Sequence, residues 1–340
     1  MNYDVTIGIP VHNALKSLYK TMISALAQDY SSIEFLILDD CGTDGSIDII
    51  RQLQKNHERG ADIRIVSHTC NRGIGVARNR IIDEAKGEFL FFLDADDFII
   101  PTTISMMVNA ARMYEAELVM ASYEKIEVNK GGKKTVVKYH DRVFTREDEF
   151  ATNAFSRYGS MQAHIWNLLM RLDFVRNIPL QFLPANFWED LVFKYELATY
   201  VVRVVQLSDI TYSYIYCDRE PHPESGQTIK KEEVIGNAAT IGALKSSSSR
   251  LKNKKYFSKW LYCVLMTDFY IICNALKNSK QIYPPIGDGE LIEFMISPLS
   301  LKETVLRGNV RLILLWVLSK LPPVISLYFI KIVGKYKKLI

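Results

Sequence analysis

Acidic residues follow directly after two short apolar runs near the start of the chain. The segment FLILDDCGTDGS places Asp39 and Asp40 after the first run, and FLFFLDADD places Asp94 and Asp96 after the second. Carboxylates spaced D-x-D on a strand point to the same side, because strand side chains alternate. Their oxygens suit Mg²⁺ or Mn²⁺, which needs few protein ligands when phosphate and water complete its coordination. Asp39 and Asp40 are placed to accept hydrogen bonds from a base or a ribose.

Simpler roles exist for these acids. In a purely structural role, Asp39 and Asp40 would open a turn. Two adjacent acids cannot both serve as one helix cap, which favours ligand contact for this pair. Asp44 is expected to cap the helix that follows. Asp97 is open to a role as a turn residue or a cap before Pro101.

The segment NRGIGVARN, which lies upstream of the D-x-D, opens a helical stretch. Its two glycines permit close backbone approach, and Arg72 and Arg78 carry charge that can balance phosphate. No G-K-[ST] follows, and the first strand leads into Pro10 rather than into G-x-G-x-x-G. These features argue against kinase-like and dehydrogenase-like sites.

Strand and helix patterns alternate up to about residue 122 and predict an α/β fold. This alternation favours right-handed crossovers and a mostly parallel sheet flanked by helices, with ligands at the carboxyl ends of the strands. The predicted strands are Val5–Ile9, Phe35–Leu38, Ile63–Ser67, Phe89–Leu93 and Leu118–Ser122, and the predicted helices are Leu15–Ala27, Ile47–Asn56, Val76–Ala85 and Thr103–Tyr114. A polar run with Gly131 and Gly132 predicts a hairpin or loop. Thr145 followed by Asp148 resembles a helix cap, and a helix is expected to follow to Phe155.

Four motifs, in order, resemble those of the family 2 glycosyltransferases of the GT-A fold. The resemblance covers about the first 225 residues. It is carried by Pro10-Val11-His12-Asn13, DDCGTDGS, NRGIGVARN and GEFLFFLDADD, and further on by AHIWNLLMR and NFWEDLVF.

The resemblance implies a role for each acidic residue. Asp39 and Asp40 would bind the nucleoside, Asp94 would lie near the ribose, and Asp96 would ligate a Mn²⁺ or Mg²⁺ ion that bridges the diphosphate. Asp190 would be the catalytic base of an inverting single displacement, and its place near a helix start favours an anion. Further donor contacts are implied for Pro10, His12, Asn13, Arg72, Arg78, Ala95, Trp166, Glu189 and Arg219.

The sequence departs from the family pattern at three places. His12 replaces the usual aromatic residue, and the sequence leaves open whether it stacks on a base or is packed and neutral. Leu168 stands where a lysine is frequent. Near residue 220 a Y-x-x-R-x-x-x-S loop carries extra residues; there Arg219 is the predicted diphosphate contact and His222 a weaker metal ligand.

Charge is divided unevenly along the chain. Residues 245–340 hold 16 Lys and Arg against 5 Asp and Glu, a net charge of +11, so the net of +4 leaves −7 for the rest. We predict a catalytic domain at 1–228, with a nucleotide-binding half at 1–100 and an acceptor half at 101–228, and a helical extension at 229–340. The extension lacks an apolar run long enough to span a bilayer. It is either an interfacial amphipathic segment near anionic headgroups or a bundle that packs on the catalytic domain or forms a dimer.

The sequence thus predicts an inverting glycosyltransferase that uses a nucleotide sugar, most simply UDP-linked. Its acceptor would be a glycan or a lipid-linked glycan in surface polysaccharide or lipopolysaccharide synthesis. We expect a cytoplasmic protein that is peripheral on the cytosolic face of the membrane. A homo-oligomer is compatible with the sequence, and no nucleic acid partner is expected. The alternatives are a nucleotidyltransferase and a non-catalytic scaffold that binds nucleotide sugars at the membrane.

Overall fold

The computed structural model describes residues 3–156, 159, 161–185, 187–217 and 228–339. The strands are β1 Tyr3–Val11, β2 Ile33–Asp39, β3 Ile63–Ser67, β4 Gly87–Phe92, β5 Phe98–Ile99, β6 Leu118–Glu127, β7 Lys133–Val137, β8 Arg142–Phe144, β9 Leu168–Arg171, β10 Val204–Tyr216, β11 Ile229–Lys230 and β12 Ile282–Tyr283. The helices are α1 Leu18–Leu26, α2 Ser46–Asn56, α3 Ile74–Glu84, α4 Thr103–Met113, α5 Glu149–Ala154, α6 Leu172–Asn177, α7 Glu189–Leu197, α8 Lys231–Ser246, α9 Ser248–Leu251, α10 Phe257–Lys277, α11 Asp288–Glu293, α12 Leu301–Leu306, α13 Val310–Leu318 and α14 Pro323–Tyr336.

The large sheet has the order β3-β2-β1-β4-β9-β6-β10-β5, with β7 on β6 and β8 on β10. Strands β3, β2, β1 and β4 are parallel, as the alternation of strands and helices predicts. β9 is antiparallel to both of its neighbours, so the second half of the sheet is mixed. The α/β fold class is therefore confirmed, while the mostly parallel sheet that we predicted is limited to the first four strands and the β6–β10 pair. Beyond residue 122 the chain turns back through hairpins such as β6–β7, which do not impose a parallel direction.

Strands β1, β2 and β4 are buried on both faces, which explains their largely apolar sequences, whereas β3 is only partly buried. Val5, Ile7 and Ile9 of β1 are fully buried, and the neighbouring Thr6 is buried as well. The Thr6 hydroxyl donates to Glu34 at 2.7 Å and accepts from the Gly87 amide at 2.9 Å, so this polar group is satisfied. The rigid strands fix the positions of the loops at their carboxyl ends.

The chain divides into two compact units. One comprises residues 1–150, 164–186 and 197–219, and the other comprises 151–163, 187–196 and 220–340. The segment with Asp190 thus groups with the C-terminal helices. The functional roles that we predicted for 1–228 and 229–340 stay predictions.

Helix α10 forms the centre of the second unit. Its side chains Phe257, Trp260 and Ile272 are fully buried. Asp268 on the same helix is also fully buried, and it pairs with Lys245 of α8 at 2.8 Å. Burial raises the pKa of Asp268 to about 7, and the Lys245 ammonium opposes that shift. Because the alternative is an uncompensated buried charge, the pair fixes how α8 and α10 meet.

We expect that replacing one partner of this pair costs much more than replacing both. Asp268→Leu or Lys245→Met alone should lower the free energy of unfolding by about 3–5 kcal/mol, because each leaves the other polar group without its partner. The double variant should recover most of the loss, and Lys259→Met on the exposed side of α10 is the control. Urea denaturation measures all four; single losses that simply add in the double variant would refute the coupling.

Candidate functional site

The carboxyl ends of β1, β2 and β4 lie along one edge of the sheet. Val11 pairs with Asp39 across β1 and β2, and Gly8 pairs with Phe92 across β1 and β4. The segments that follow these strands hold most of the predicted donor-site residues, including His12, Asn13, Asp39, Asp40, Asp94, Ala95 and Asp96. The predicted acids therefore come together within the first unit because three neighbouring parallel strands end there.

Asp40 is the most constrained acid at this edge, with 4% of its surface exposed. One carboxylate oxygen accepts from the Arg72 amide at 2.9 Å and lies 2.7 Å from Nδ1 of His68. The other oxygen accepts from the Gly73 amide at 2.9 Å. Both carboxylate oxygens of Asp40 therefore accept hydrogen bonds from protein donors, and these bonds hold the loop before α3.

Gly73 has a backbone conformation that explains its place in the motif. Its φ of 85° lies in the region that side chains other than glycine rarely adopt, and it directly precedes α3. This conformation turns its amide toward Asp40. The first glycine of NRGIGVARN is therefore a requirement of the loop that Asp40 holds.

His12 takes part in the same network through its ring. Nδ1 lies 3.0 Å from the Asp40 carbonyl, which only accepts, so Nδ1 carries the proton. Nε2 then accepts from the Asn71 amide nitrogen at 3.0 Å, while Asn71 Oδ1 accepts from the Gly73 amide at 3.0 Å. His12 is exposed, and whether a base stacks on it stays a prediction.

Asp39 and Asn13 line an accessible part of the edge. Asp39 Oδ1 accepts from the Gly42 amide at 3.0 Å, and Asn13 Oδ1 accepts from the Thr43 amide at 2.8 Å. A cavity of about 220 Å³ lies against Asp39 and the start of α2. Asp44 accepts from the Ser46 amide at 3.0 Å, but Gly45 is the N-cap residue of α2, so the prediction that Asp44 caps this helix is wrong by one residue.

Asp94 and Asp96 are half-buried at the end of β4. Asp94 pairs with the buried Arg78 at 3.1 Å, so the two motifs NRGIGVARN and LDADD are joined by an ion pair. Arg78 also lies over the Phe182 ring, and Asn79 holds residue 182 by two backbone hydrogen bonds of 2.8 Å. Arg78 is thus directed toward the acidic loop by its surroundings.

Asp97 differs from its two neighbours because it is fully buried. It accepts from the Tyr212 hydroxyl and from the Ile215 amide, both at 2.7 Å, which ties the acidic loop to β10. Burial raises the pKa of Asp97 to about 8, and the negative charges of Asp94 and Asp96 add to the shift. Asp97 is an anchor of the loop rather than the simple turn residue that the sequence allowed.

An aromatic stack supports this anchor. Trp166 is 5% exposed and stacks on Tyr212 at 4.4 Å and on His164 at 3.6 Å between ring centroids. Its ring faces are covered by protein side chains, so Trp166 acts in the described structure as support for Tyr212. Direct contact with a donor stays a prediction. The sequence analysis missed Tyr212 and His68. His68 directly follows β3, and this position could have suggested it, whereas Tyr212 lies inside β10.

The other predicted residues of the first unit take different positions. Pro10 lies within β1, opposite Leu38 of β2, and is buried. The Ala95 carbonyl accepts from the Thr21 hydroxyl at 3.0 Å. Arg72 has an exposed side chain, while its amide is held by Asp40.

The residues at the end of β4 fit a hard divalent cation. Asp94 and Asp96 supply half-buried carboxylate oxygens beside a third acid that is buried, and a cation would relieve this crowding of negative charge. Among the residues that the structure describes, no three His, Cys, Asp or Glu side chains form a metal-binding group. Any cation would therefore take most of its ligands from phosphate and water. His222 and Arg219 lie outside the described residues.

Glu189 and Asp190 begin α7 in the second unit. Glu189 is buried, and Asp190 is half-buried with Oδ1 accepting from the Leu191 amide at 2.7 Å. One turn later, Lys194 is buried. Desolvation lowers the pKa of Lys194 to about 7, and the Asp190 charge opposes the shift. The carboxylate thus lies at a helix start, with a buried lysine one turn away on the same face.

A sheet of this topology, with acids at the ends of its parallel strands, defines the GT-A class of folds. Residues 6–172 match the family model for glycosyl transferase family 2, so the chain carries a domain of this family. A solved S. aureus TarS fragment, residues 1–349 in complex with UDP-GlcNAc, has a TM-score of 0.64 at 14% identity, covering 93% of this chain and 90% of that one. This likeness shows the fold.

Curated relatives are similar over shorter stretches. The chain is 37% identical over 128 residues to the Escherichia coli UDP-Glc:alpha-D-GlcNAc-diphosphoundecaprenol beta-1,3-glucosyltransferase WfaP, covering 37% of this chain and 47% of WfaP. It is 40% identical over 93 residues to the putative teichuronic acid biosynthesis glycosyltransferase TuaG of Bacillus subtilis, covering 27% and 36%. The chain thus matches less than half the length of each of these relatives.

The described contacts separate the roles of Asp39 and Asp40. Asp40→Asn should lower the free energy of unfolding by about 2–4 kcal/mol, because it removes a buried charged acceptor from three hydrogen bonds. Asp39→Asn keeps the oxygen that accepts from Gly42 and should cost less than about 1 kcal/mol. Denaturant unfolding of both variants checks this, and equal losses would contradict the assignment.

Proposed function

We propose that this protein is an inverting glycosyltransferase that moves a sugar from a nucleotide sugar, UDP-linked in the simplest case, to a hydroxyl of a glycan or lipid-linked acceptor. The family domain supports the reaction class. The UDP-GlcNAc complex of TarS supports the donor, and the names of WfaP and TuaG support a role in surface polysaccharide or lipopolysaccharide synthesis. The observation that carries the proposal is the acidic loop of Asp94 and Asp96 on the same sheet edge as Asp39.

Donor binding is assigned to the edge of the first unit. Asp39 would accept from the base, since its carboxylate borders the cavity at α2. His12 and Asn13 would flank the nucleoside, while Asp40 positions the loop that carries Arg72. Arg78, which is paired with Asp94, would add positive charge toward the diphosphate.

Asp96, with Asp94 beside it, would hold a Mn²⁺ or Mg²⁺ ion. When bound, the ion would supply charge neutralisation for the diphosphate as it leaves. Asp97 would keep the loop in place through Tyr212 and Ile215.

Asp190 would act as the general base. It would take the proton of the acceptor hydroxyl while that oxygen forms a bond to C1 of the donor sugar. The bond from C1 to the diphosphate oxygen breaks, and the diphosphate leaves with the electron pair. One displacement inverts the anomeric centre, and no covalent enzyme intermediate is needed.

A lipid-linked acceptor would be embedded in a bilayer. We therefore propose that the protein works as a peripheral protein at the cytosolic face of the membrane. No helix in the part of the chain that the structure describes is long and apolar enough to span a bilayer.

Loss of the base should remove turnover and leave donor binding. We expect Asp190→Asn to lower kcat by about 10²–10⁴-fold, the usual contribution of a general base, with an unchanged Kd for UDP. Asp209→Asn, at an exposed position on β10, is the matched control. Turnover is measured as the rate of UDP release, and UDP binding is measured by calorimetry. Near-normal turnover in Asp190→Asn would contradict the assignment.

A thermal-shift screen of nucleotide sugars with and without Mn²⁺ tests the donor site. At 100-fold excess over Kd a true donor stabilises the folded protein by about 2.7 kcal/mol, and we expect this only with Mn²⁺ or Mg²⁺. Asp96→Asn should abolish the metal dependence, whereas Asp190→Asn should retain it. If no nucleotide sugar gives a metal-dependent shift, the donor assignment is wrong.

A further inference from the structure

Helix α14 is apolar on two opposite faces. Ser326, Leu327, Ile330 and Gly334 form the face that is buried against the rest of the second unit. The opposite face is exposed and just as apolar, and its residues recur at helical spacing. Their exposed fractions are Val324 70%, Ile325 45%, Tyr328 63%, Phe329 46%, Ile332 48% and Tyr336 88%.

Helix α13 has an exposed apolar stripe of its own. Leu312 and Leu315 are buried. Val310, Leu314 and Val317 follow each other at spacings of four and three residues and are 67%, 59% and 41% exposed. A surface helix of a water-soluble domain normally carries polar residues on its outward face. Two successive helices depart from this rule, so we expect their outward faces to be buried against a binding partner or a membrane.

The surrounding charge is almost entirely positive. Residues 301–340 hold 8 Lys and Arg against the single acid Glu303, a net charge of +7. Lys331 and Lys335 lie on the exposed surface of α14, and Lys337 and Lys338 follow at its end. Long lysine stems can lie along an apolar surface while their ammonium groups reach outward.

We propose that the outward faces of α13 and α14 dock on the surface of an anionic phospholipid bilayer. The apolar side chains enter the boundary between headgroups and acyl chains, and the lysines contact the headgroup phosphates. Tyr328 and Tyr336 suit the same depth, because their rings are apolar and their hydroxyls polar. The helices lie in the interface and do not cross it.

Charge complementarity favours a bilayer over a second copy of this chain. A two-fold contact through α14 would bring the lysines of both copies to the same interface, where like charges repel. An anionic bilayer meets the same lysines with opposite charge. This surface gives the peripheral location in the proposed function a physical basis, but the binding itself does not require transferase activity.

Cosedimentation of the full chain with vesicles tests the proposal. Vesicles of phosphatidylcholine with 40% phosphatidylglycerol should bind the protein at least tenfold more tightly than pure phosphatidylcholine vesicles, since each lysine near the surface contributes roughly fivefold. Raised salt should weaken binding, because it screens these contacts. Absence of binding to the anionic vesicles, or equal binding to both kinds, would overturn the proposal.

Two variants separate the apolar and charged contributions. The triple variant Tyr328→Ser, Phe329→Ser, Ile332→Ser and the quadruple variant with Gln at Lys331, Lys335, Lys337 and Lys338 should each lose at least tenfold in vesicle affinity. All of these side chains are exposed, so folding should persist, and circular dichroism verifies it. The controls are Met113→Ser, Val136→Ser, Tyr283→Ser and, for charge, Gln at Lys55, Lys86, Lys133 and Lys138.

The outcomes distinguish the occupants of the surface. Wild-type affinity in both variants would overturn the proposal. A dimer in analytical ultracentrifugation that the serine variant dissolves would show that a second copy covers α14. The same variants should bind UDP and show nucleotide-sugar thermal shifts like the wild type. A protein that does not bind vesicles would therefore not contradict the proposed donor site, and a protein that does not bind a donor would not contradict the proposed membrane surface.

Discussion

The carboxylate of Asp40 is the contact on which the arrangement of the donor edge depends. It follows β2, and its two oxygens hold the loop after β3 at the amides of Arg72 and Gly73, with His68 at the end of β3 itself. Its backbone carbonyl accepts from His12, which follows β1. One buried residue therefore sets the relative positions of three strand ends. A buried anion is tolerated here because each oxygen has protein donors.

The three acids in the loop after β4 have the same chemistry but different roles. Asp97 is desolvated and anchored, whereas Asp94 and Asp96 remain accessible. The anchor matters because adjacent carboxylates repel one another and would otherwise push the loop apart. Tyr212 and the Trp166 ring behind it give the loop a rigid base, so the two accessible acids are held in place before any ligand arrives.

The sequence predicted the first half of the fold closely and the second half only in class. Predicted strand Ile63–Ser67 agrees with β3, and predicted helix Thr103–Tyr114 differs from α4 by one residue. These elements carry a regular hydrophobic period and turn residues at their ends. β9 inserts antiparallel between β4 and β6, and no local pattern contains that information, because its partners lie more than 45 residues away. Tyr212 was missed for the same reason: it lies 115 residues from Asp97.

The uneven division of charge along the chain suits the two kinds of binding that we propose. The first 244 residues carry a net charge of −7, which includes the strand-end acids that would attract a cation and, through it, a diphosphate. The last 96 residues carry +11, concentrated around helices with outward apolar side chains. The acidic strand ends of the first unit would attract a cation and a phosphate, whereas the basic helices of the second unit would attract an anionic interface. At physiological ionic strength each of these fields acts over a Debye length of about 8–10 Å.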